Sequence, residues 1–140
     1  MHPHDSINSC QTVFVYGTLR PPREKKHEPS CHFYWRISPY VLDSDAARLE
    51  NAELYRFDRF PAVFPGTGVV HGEVLRVKPT GLSMMDEIEG HPSFFVRKQH
   101  TVATPQGQRV AWVYWGPHIL RGQGQSIGSG DWLEALSQDV

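Results

Sequence analysis

The stretch TVFVYGTL, residues 12–19, decides how the rest of the chain is interpreted. Its first five residues are β-branched or aromatic, which is typical of a strand, and Gly17 ends the run. Because the apolar residues are continuous rather than alternating, we expect this strand to be buried on both faces. The sequence therefore predicts a buried strand that leads directly into a glycine-containing loop.

Strand-like segments also dominate the rest of the sequence. VVHGEVLRVK, residues 69–78, predicts a strand whose internal glycine marks a bulge or a bend. FFVRKQHTVAT and QRVAWVYWG, residues 94–104 and 108–116, predict a hairpin around PQGQ. A weaker strand is expected near residues 52–57. We expect five to seven strands and one clear helix in total, which indicates an α+β domain with a curved or closed sheet.

Other segments carry turn signals rather than a regular period. FPAVFPGTG, residues 60–68, is interpreted as a short apolar piece punctuated by turns. RPPREKKHEPSCH, residues 20–32, is interpreted as an exposed connection. FYWRISPYVL, residues 33–42, is aromatic but interrupted by a proline, so a short strand or a flap is expected. The glycine-rich GQGQSIGSG and the following DWLEALSQ predict a loop and a short amphipathic end.

The size and composition of the chain limit its organisation. Its 140 residues suit one compact domain, so we expect a flexible tail over residues 1–11 and a single domain over residues 12–140. The net charge of -1 provides no basic field for nucleic acid or for an anionic membrane. Because no apolar run approaches ~20 residues and the N-terminus lacks the core of a signal peptide, a cytoplasmic protein is expected. The modest charge and size allow a monomer, and the choice between a monomer and a small homo-oligomer is left open. Whether Cys10 and Cys31 pair is left open.

The clear helix lies in PTGLSMMDEIEGH, where proline suits the first turn and glycine the position after the last turn. At ~100° per residue, the leucine, methionine and isoleucine side chains form one apolar arc. Glu87 then falls on the polar side, Asp86 at the border, and Glu89 within the apolar arc. The three clustered acids are therefore expected to have different surroundings.

Glu89 is the first candidate for chemistry. A carboxylate in an apolar arc is costly to keep charged, so we expect its pKa to rise. A carboxyl group that titrates near neutrality suits general acid/base catalysis. The alternative is a frayed last turn from which Glu89 bends out to water, and helix phase alone does not decide between the two.

The loop YGTLR is the second candidate. Gly17 allows backbone conformations that other residues rarely adopt, and the exposed amides of Gly17, Thr18 and Leu19 would form a concave site for a carboxylate or an oxyanion. The alternative is a simple turn between a strand and a loop, since a lone Y-G-T-L motif is weak.

The remaining polar clusters do not form established motifs. HEPSCH contains residue types that bind zinc, but a second pair with metal-ligand spacing is missing, so a polar surface loop is favoured. Serine, histidine and aspartate occur without a G-x-S-x-G motif. Trp112, Tyr114 and Trp115 lack an accompanying basic stripe, which favours a core or a pocket wall over a platform for nucleic-acid bases. We therefore expect no metal, no cofactor and no nucleic-acid partner.

Five motifs in a fixed order resemble the gamma-glutamylcyclotransferase-like family, which includes gamma-glutamylamine cyclotransferases. They are VFVYGTLR, FPAVFPGTGVVHGEVLRV, MMDEIEGHPSFFVRKQ, AWVYWG and GSGDW. The resemblance covers roughly residues 13–132, apart from the connection at residues 23–44. It implies a small, mostly antiparallel β-barrel with a few flanking helices.

The resemblance also implies a reaction. Members of the family cleave a small gamma-glutamyl amide by letting its own α-amine attack its γ-carbonyl, which releases 5-oxoproline and an amine or amino acid. The position of the family's acid/base is Glu89, and the positions of its substrate-binding loop are Tyr16, Gly17, Thr18 and Leu19. Intramolecular attack requires neither a metal nor a protein nucleophile.

One departure from the family pattern affects the expected substrate site. The family commonly has a tyrosine where this sequence has Phe95, ahead of Arg97, so a hydroxyl group is missing, and Tyr114 is a candidate to provide one. Two alternatives therefore stay open beside the cyclotransferase. One is a non-catalytic ligand-binding or regulatory module with the same barrel and pocket, and the other is an enzyme of this fold that acts on another amide.

Overall fold

The computed structural model describes residues 9–22, 31 and 33–137. The strands are β1 (Gln11–Val15), β2 (Val41–Phe57), β3 (Phe60–Val77), β4 (Val96–Thr104), β5 (Gly107–Trp115) and β6 (Gln125–Ser126). The α-helices are α1 (Tyr34–Ile37), α2 (Pro79–Glu89) and α3 (Trp132–Ser137), and short 3₁₀ helices span Ser38–Tyr40 and His118–Leu120.

Five strands close into a mixed barrel. The antiparallel pairs are β1 with β3, β3 with β2, β2 with β4, and β4 with β5. The ring closes through a parallel pair between β1 and β5, in which Val13 lies opposite Trp112, and β6 extends the edge of β2. The expected α+β fold, a mostly antiparallel barrel with a few flanking helices, is confirmed. Within the described residues, no helix is long and apolar enough to cross a membrane.

The core fills the inside of this barrel, and β1 is a buried strand of the barrel wall between β3 and β5. Val13 and Phe14 are fully buried, which confirms the prediction of a strand covered on both faces. Gly72 on β3 lies so close to this strand that an added Cβ would clash with the carbonyl oxygen of Val15. Its pairing with Ala47 is in regular register, so the glycine permits close backbone approach and does not mark a bulge.

The longest hairpin of the molecule was underestimated from the sequence. The strand expected near residues 52–57 is only the end of the 17-residue β2. The piece at residues 60–68, expected to be broken by turns, belongs to the 18-residue β3. Pro61 and Pro65 stay in register opposite Arg56 and Ala52, so pairing along the whole hairpin overrides the local preference for turns.

The segment at residues 33–42 was also predicted wrongly. It forms α1 and a 3₁₀ turn, and β2 begins only at Val41. The fully buried Ile37 anchors this short helical segment to the core, so the apolar residues serve helix packing instead of a strand or flap. The hairpin of β4 and β5 and the helix over residues 79–89 agree with the sequence-based predictions. The short amphipathic end forms the helix α3, which was not predicted as a helix.

The start of β1 and the connection that follows it both differ from the sequence-based prediction. Strand β1 already begins at Gln11, within the range expected to be a tail, and residues 1–8 lie outside the described part. Arg20 and Cys31 are buried rather than exposed, while residues 23–30, which carry most of the predicted connection, also lie outside it. Cys10 and Cys31 are both free thiols.

Candidate active site

Helix α2 ends in a fixed geometry directly at Glu89. Pro79 occupies the first turn, and Gly90 adopts the left-handed conformation with φ 69°, as its place after the helix predicts. The Gly90 amide donates to the carbonyls of Asp86 and Glu87, and the Phe95 amide donates to the Glu89 carbonyl at 3.2 Å. These bonds hold the last turn, so the alternative of a frayed helix end is wrong.

The three acids of this helix have three different surroundings. Glu87 is exposed to solvent. Asp86 is half-buried and accepts hydrogen bonds from Arg97 Nε at 2.8 Å and from the Tyr114 hydroxyl at 2.6 Å. The Glu89 carboxyl group has no hydrogen-bond or ion-pair partner among the described residues, and it lines a cavity. The helix phase predicted this separation, because it placed only Glu89 within the apolar arc.

The cavity beside Glu89 has a volume of about 190 Å³ and lies between the end of α2 and the loop after β1. We refer to it as the catalytic cavity because it contains Glu89, the candidate acid/base. All the candidate residues from the sequence line it, together with four further aromatic residues. The candidates are Tyr16, Gly17, Thr18, Leu19, Glu89, Phe95 and Tyr114, and the added aromatic residues are Phe14, Phe33, Phe60 and Phe94.

Burial controls the protonation of Glu89. The surrounding protein removes water from the carboxylate and raises its pKa to about 7. The side chain is only partly accessible, and it lies on the wall of the catalytic cavity. A carboxyl group with this pKa exchanges its proton near neutral pH, which is the property that general acid/base catalysis needs.

The loop after β1 provides the opposite wall. Gly17 packs against Pro61 so closely that an added Cβ would lie 2.6 Å from the proline Cγ. The Arg20 amide donates to the Gly17 carbonyl at 3.0 Å and closes the turn. Among the described residues, the amides of Gly17, Thr18 and Leu19 have no hydrogen-bond acceptor. These amides therefore remain available for an anionic group in the cavity.

A buried ion cluster holds this loop in place. The guanidinium of Arg20, which is 4% exposed, donates two hydrogen bonds of 2.8 Å to Glu73 on β3. A third bond of 2.8 Å reaches Asp131, whose carboxylate also accepts the Leu133 amide at the start of α3. Burial, the largest single influence, would raise the pKa of Asp131, but the hydrogen bond and the charge of Arg20, together with two backbone hydrogen bonds, outweigh it and lower that pKa.

Sequence reasoning did not identify this cluster. Arg20, Glu73 and Asp131 each lie inside a motif that was recognised, namely YGTLR, HGEV and GSGDW. They are separated by 53 and 111 residues along the chain, so no local pattern pairs them. The available signal was that each motif contains one charged residue among small or apolar neighbours.

The two tyrosines of the cavity are held by different partners. The Tyr16 hydroxyl donates to the backbone carbonyl of Tyr114 at 2.7 Å. Burial raises the pKa of Tyr16, and the nearby Glu89 carboxylate raises it further, so Tyr16 stays protonated. The hydroxyl of Tyr114 donates to Asp86 and is thereby held by helix α2, while Phe95 lines the same cavity without a hydroxyl.

Within the described residues, no group of three or more histidine, cysteine, aspartate or glutamate side chains is arranged to hold a metal ion. Most of the HEPSCH segment lies outside those residues. The chemistry that the described site can perform with its own groups is proton transfer by Glu89 and anion binding by loop amides.

The small closed barrel is shared with known proteins. The family model described as "Gamma-glutamyl cyclotransferase, AIG2-like" matches residues 13–134. The chain belongs to this gamma-glutamyl cyclotransferase family.

Individual relatives support the same assignment. The gamma-glutamylcyclotransferase family protein YtfP of Escherichia coli K12 is 31% identical over 122 residues, which cover 87% of this chain and 96% of that protein. A putative gamma-glutamylcyclotransferase of Methanocaldococcus jannaschii is 29% identical over 128 residues, with 87% and 95% covered. The crystal structure of an uncharacterised protein from Pyrococcus horikoshii superposes with a TM-score of 0.62 at 26% identity, covering 92% of this chain and 95% of that one.

Proposed function

We propose that the protein is a gamma-glutamyl cyclotransferase that converts a small gamma-glutamyl amide into 5-oxoproline and a free amine. The observation that carries this proposal is the unpaired Glu89 carboxyl group, with a pKa of about 7, in the same cavity as the amides of residues 17–19. Family membership supports it, because relatives that match most of the chain are named as gamma-glutamylcyclotransferase family proteins.

The proposed reaction needs only one proton carrier. The neutral α-amine of the substrate attacks the γ-carbonyl carbon, a carbon–nitrogen bond forms, and the carbonyl oxygen becomes an oxyanion. Glu89 accepts a proton from the attacking nitrogen. When the oxyanion collapses, the bond to the leaving nitrogen breaks and Glu89 donates the same proton to that nitrogen. The products are 5-oxoproline and the amine, and Glu89 returns to its carboxylate form.

The opposite wall of the cavity has the complementary role. The amides of Gly17, Thr18 and Leu19 would hold either the α-carboxylate of the glutamyl group or the developing oxyanion. Tyr16, which stays protonated, fixes the end of this loop through its bond to the Tyr114 carbonyl. Because both reacting nitrogens belong to one bound substrate, the protein supplies orientation and proton transfer instead of a nucleophile.

The test compares two acids of the same helix. Purified protein is incubated with gamma-glutamyl-alanine, ε-(gamma-glutamyl)-lysine and a gamma-glutamyl alkylamide, and 5-oxoproline is quantified. Glu89→Gln should reduce kcat/KM by about 10²–10⁴, because it removes the proton carrier. The matched control Glu87→Gln, which changes an exposed acid two residues away, should leave activity unchanged.

Full activity of a folded Glu89→Gln variant on a confirmed substrate would exclude the proposed role of Glu89. Saturable binding of a gamma-glutamyl ligand by the wild-type protein, without 5-oxoproline after long incubation, would instead identify a binding module. Release of an amine without 5-oxoproline would point to a different amide-cleaving reaction.

A further inference from the structure

The loop after β1 is fixed at both of its ends. At its start, Val15 lies opposite Glu73 in the pairing of β1 with β3. At its end, the guanidinium of Arg20 is bound by Glu73 and Asp131. The amides of residues 17–19 lie between these two anchors. Their position therefore depends on the three charged residues Arg20, Glu73 and Asp131, to which we refer as the Arg20 cluster.

Glu73 connects both ends of the loop to one place on β3. Its backbone pairs with the last residue of β1, and its carboxylate accepts two hydrogen bonds of 2.8 Å, from Nε and Nη2 of Arg20. A bidentate pair of this kind fixes the orientation of the guanidinium as well as its distance. Because Arg20 is buried, little solvent competes for these bonds.

Asp131 connects the loop to the segment that precedes α3. Its Oδ1 accepts a hydrogen bond of 2.8 Å from Nη1 of Arg20. The neighbouring Gly130 has a positive φ of 68°, and an added Cβ there would clash with the carbonyl oxygen of Val69. The Gly130 carbonyl also accepts the His71 amide at 2.8 Å. This segment is therefore held against β3, and Asp131 transmits its fixed position to Arg20.

The charges around Arg20 do not suit a direct ligand of an anionic substrate. Arg20 is not among the residues that line the catalytic cavity, and each of its three side-chain nitrogens donates to a carboxylate. Two carboxylates around one guanidinium give the cluster a net negative charge, which does not attract an anion. The contribution of the cluster to an anion site is therefore the position of the backbone that it holds.

From these observations we infer that Arg20 is a positioning residue, which together with Glu73 and Asp131 holds the amides of residues 17–19 in the geometry that binds the anionic group of the substrate. This inference rests on the proposed function. It makes turnover depend on two carboxylates that lie outside the catalytic cavity. Small displacements are sufficient for this dependence, since a shift of about 1 Å can reduce a rate by about 10²-fold.

The test depends on the sign of one charge. Glu73→Gln removes a negative charge and keeps one oxygen acceptor for Arg20, but its NH₂ group cannot complete the bidentate pair. If Arg20 positions the amides, kcat/KM for 5-oxoproline release should fall by about 10–100-fold on a substrate confirmed in the assay above. If Arg20 instead attracted the substrate by its charge, the less neutralised guanidinium should raise kcat/KM.

A second variant and a matched control accompany this change. Asp131→Asn should lower kcat/KM in the same direction but by less, because asparagine keeps an acceptor oxygen for Arg20. The control Asp43→Asn removes a carboxylate from another arginine of β3, since Asp43 accepts a hydrogen bond of 2.6 Å from Nη2 of Arg76. This pair is exposed and lies outside the catalytic cavity, so the control should leave kcat/KM unchanged.

Two measurements distinguish positioning from a purely structural role. The first is KM and kcat per folded molecule, with the folded fraction taken from circular dichroism. A purely structural role leaves both values unchanged in the molecules that remain folded, whereas displaced amides raise KM or lower kcat. The second is the ¹⁵N NMR signals of residues 17–19, which should differ between folded Glu73→Gln and wild type and stay unchanged in Asp43→Asn.

An unchanged or increased kcat/KM in folded Glu73→Gln would overturn the inference while leaving the proposed function intact. An equal loss in Asp43→Asn would overturn it as well. If the wild-type protein yields no 5-oxoproline, the proposed function fails, and calorimetry with the same three gamma-glutamyl amides tests the inference separately. Weaker binding to Glu73→Gln than to wild type supports it. Equal or tighter binding, or no binding to wild type, overturns it.

Discussion

Asp86 and Glu89 lie three residues apart on the same helix, yet the protein surrounds them in opposite ways. Asp86 accepts hydrogen bonds from Arg97 and Tyr114, and the Arg97 guanidinium also stacks over Trp112, 4.2 Å from the centre of its ring. Glu89 meets an apolar cavity and no partner among the described residues. One acid is fixed as part of the structure, and the other is left able to exchange a proton.

The same contrast extends across the catalytic cavity. On the loop side, Arg20 is held by Glu73 and Asp131, while the amides of residues 17–19 have no acceptor among the described residues. Each wall therefore consists of a satisfied ion pair that holds the backbone and of unsatisfied groups that face the cavity. This division indicates that charged residues near a site contribute either to position or to chemistry, and hydrogen-bond partners distinguish the two.

The largest expected difference in stability concerns Asp86. Replacing Asp86 by Ala leaves the half-buried Arg97 without its carboxylate and the Tyr114 hydroxyl without its acceptor. We expect a loss of about 2–4 kcal/mol in the free energy of unfolding, measured by urea denaturation at pH 7. The control Glu87→Ala removes an exposed acid from the same helix and should change stability by less than about 0.5 kcal/mol. Similar stabilities for the two variants would show that Asp86 has no structural role.

Glu89→Gln should raise the free energy of unfolding at neutral to basic pH, whereas Asp86→Ala lowers it. The folded-state pKa of Glu89 is about 7, above its ordinary value of 4.5, so the folded protein binds this proton more tightly than the unfolded chain does. Stability is therefore lost as pH rises from about 4.5 to about 7 and is not regained above that. A neutral glutamine avoids the loss, so the variant should be about 1–3 kcal/mol more stable than wild type at pH 8 and nearly equal at pH 4.

Denaturation curves of both proteins at several pH values test this expectation. A stability difference that does not vary between pH 4 and pH 8 would contradict a raised pKa for Glu89. A loss of stability at pH 8 would show that its carboxylate has a stabilising partner.

The pH dependence of activity should report the same group. Glu89 must be ionised to accept the proton, and the α-amine of the substrate must be neutral to attack, so kcat/KM should rise with pH for both reasons. One pH unit below the Glu89 pKa of about 7, protonation of Glu89 alone should lower kcat/KM by about tenfold, and above that pKa the rise should become less steep, because only the α-amine (pKa ~8) still titrates. The profile is measured with a gamma-glutamyl alkylamide, whose leaving group does not titrate in this range before cleavage. A profile whose slope does not change near pH 7 would exclude Glu89 as the base.

The sequence predicted those parts of the site that depend on local geometry. Helix phase alone separated Glu87, Asp86 and Glu89, because α2 is regular and Gly90 ends it at a defined residue. The buried strand β1 and the glycine loop after it were likewise predictable. Residues 13–16 are a continuous apolar run, and Gly17 follows directly and ends that run.

Features that depend on long-range pairing were missed. Arg20 was assigned to an exposed connection, because its partners Glu73 and Asp131 lie far away in sequence. Prolines suggested turns at residues 60–68, where pairing with β2 maintains a continuous strand. The closing pair of β1 with β5 has no sequence signal of its own, because parallel neighbours are brought together only by the barrel.

The smallest expected effect is that of Tyr114→Phe, which removes one hydroxyl and leaves the ring in place. Asp86 keeps its bonds to Arg97, so the variant should lose only about 1 kcal/mol of stability, the value of a single hydrogen bond. If Tyr114 acts only by holding Asp86, the pH near 7 at which the rise of kcat/KM becomes less steep should not move. A shift of that pH, or a loss of activity as large as that of Glu89→Gln, would mean that the hydroxyl contacts the substrate. Asp86 would then contribute to catalysis as well, by positioning the Tyr114 hydroxyl against the substrate. The division between a structural Asp86 and a reactive Glu89 would no longer be complete.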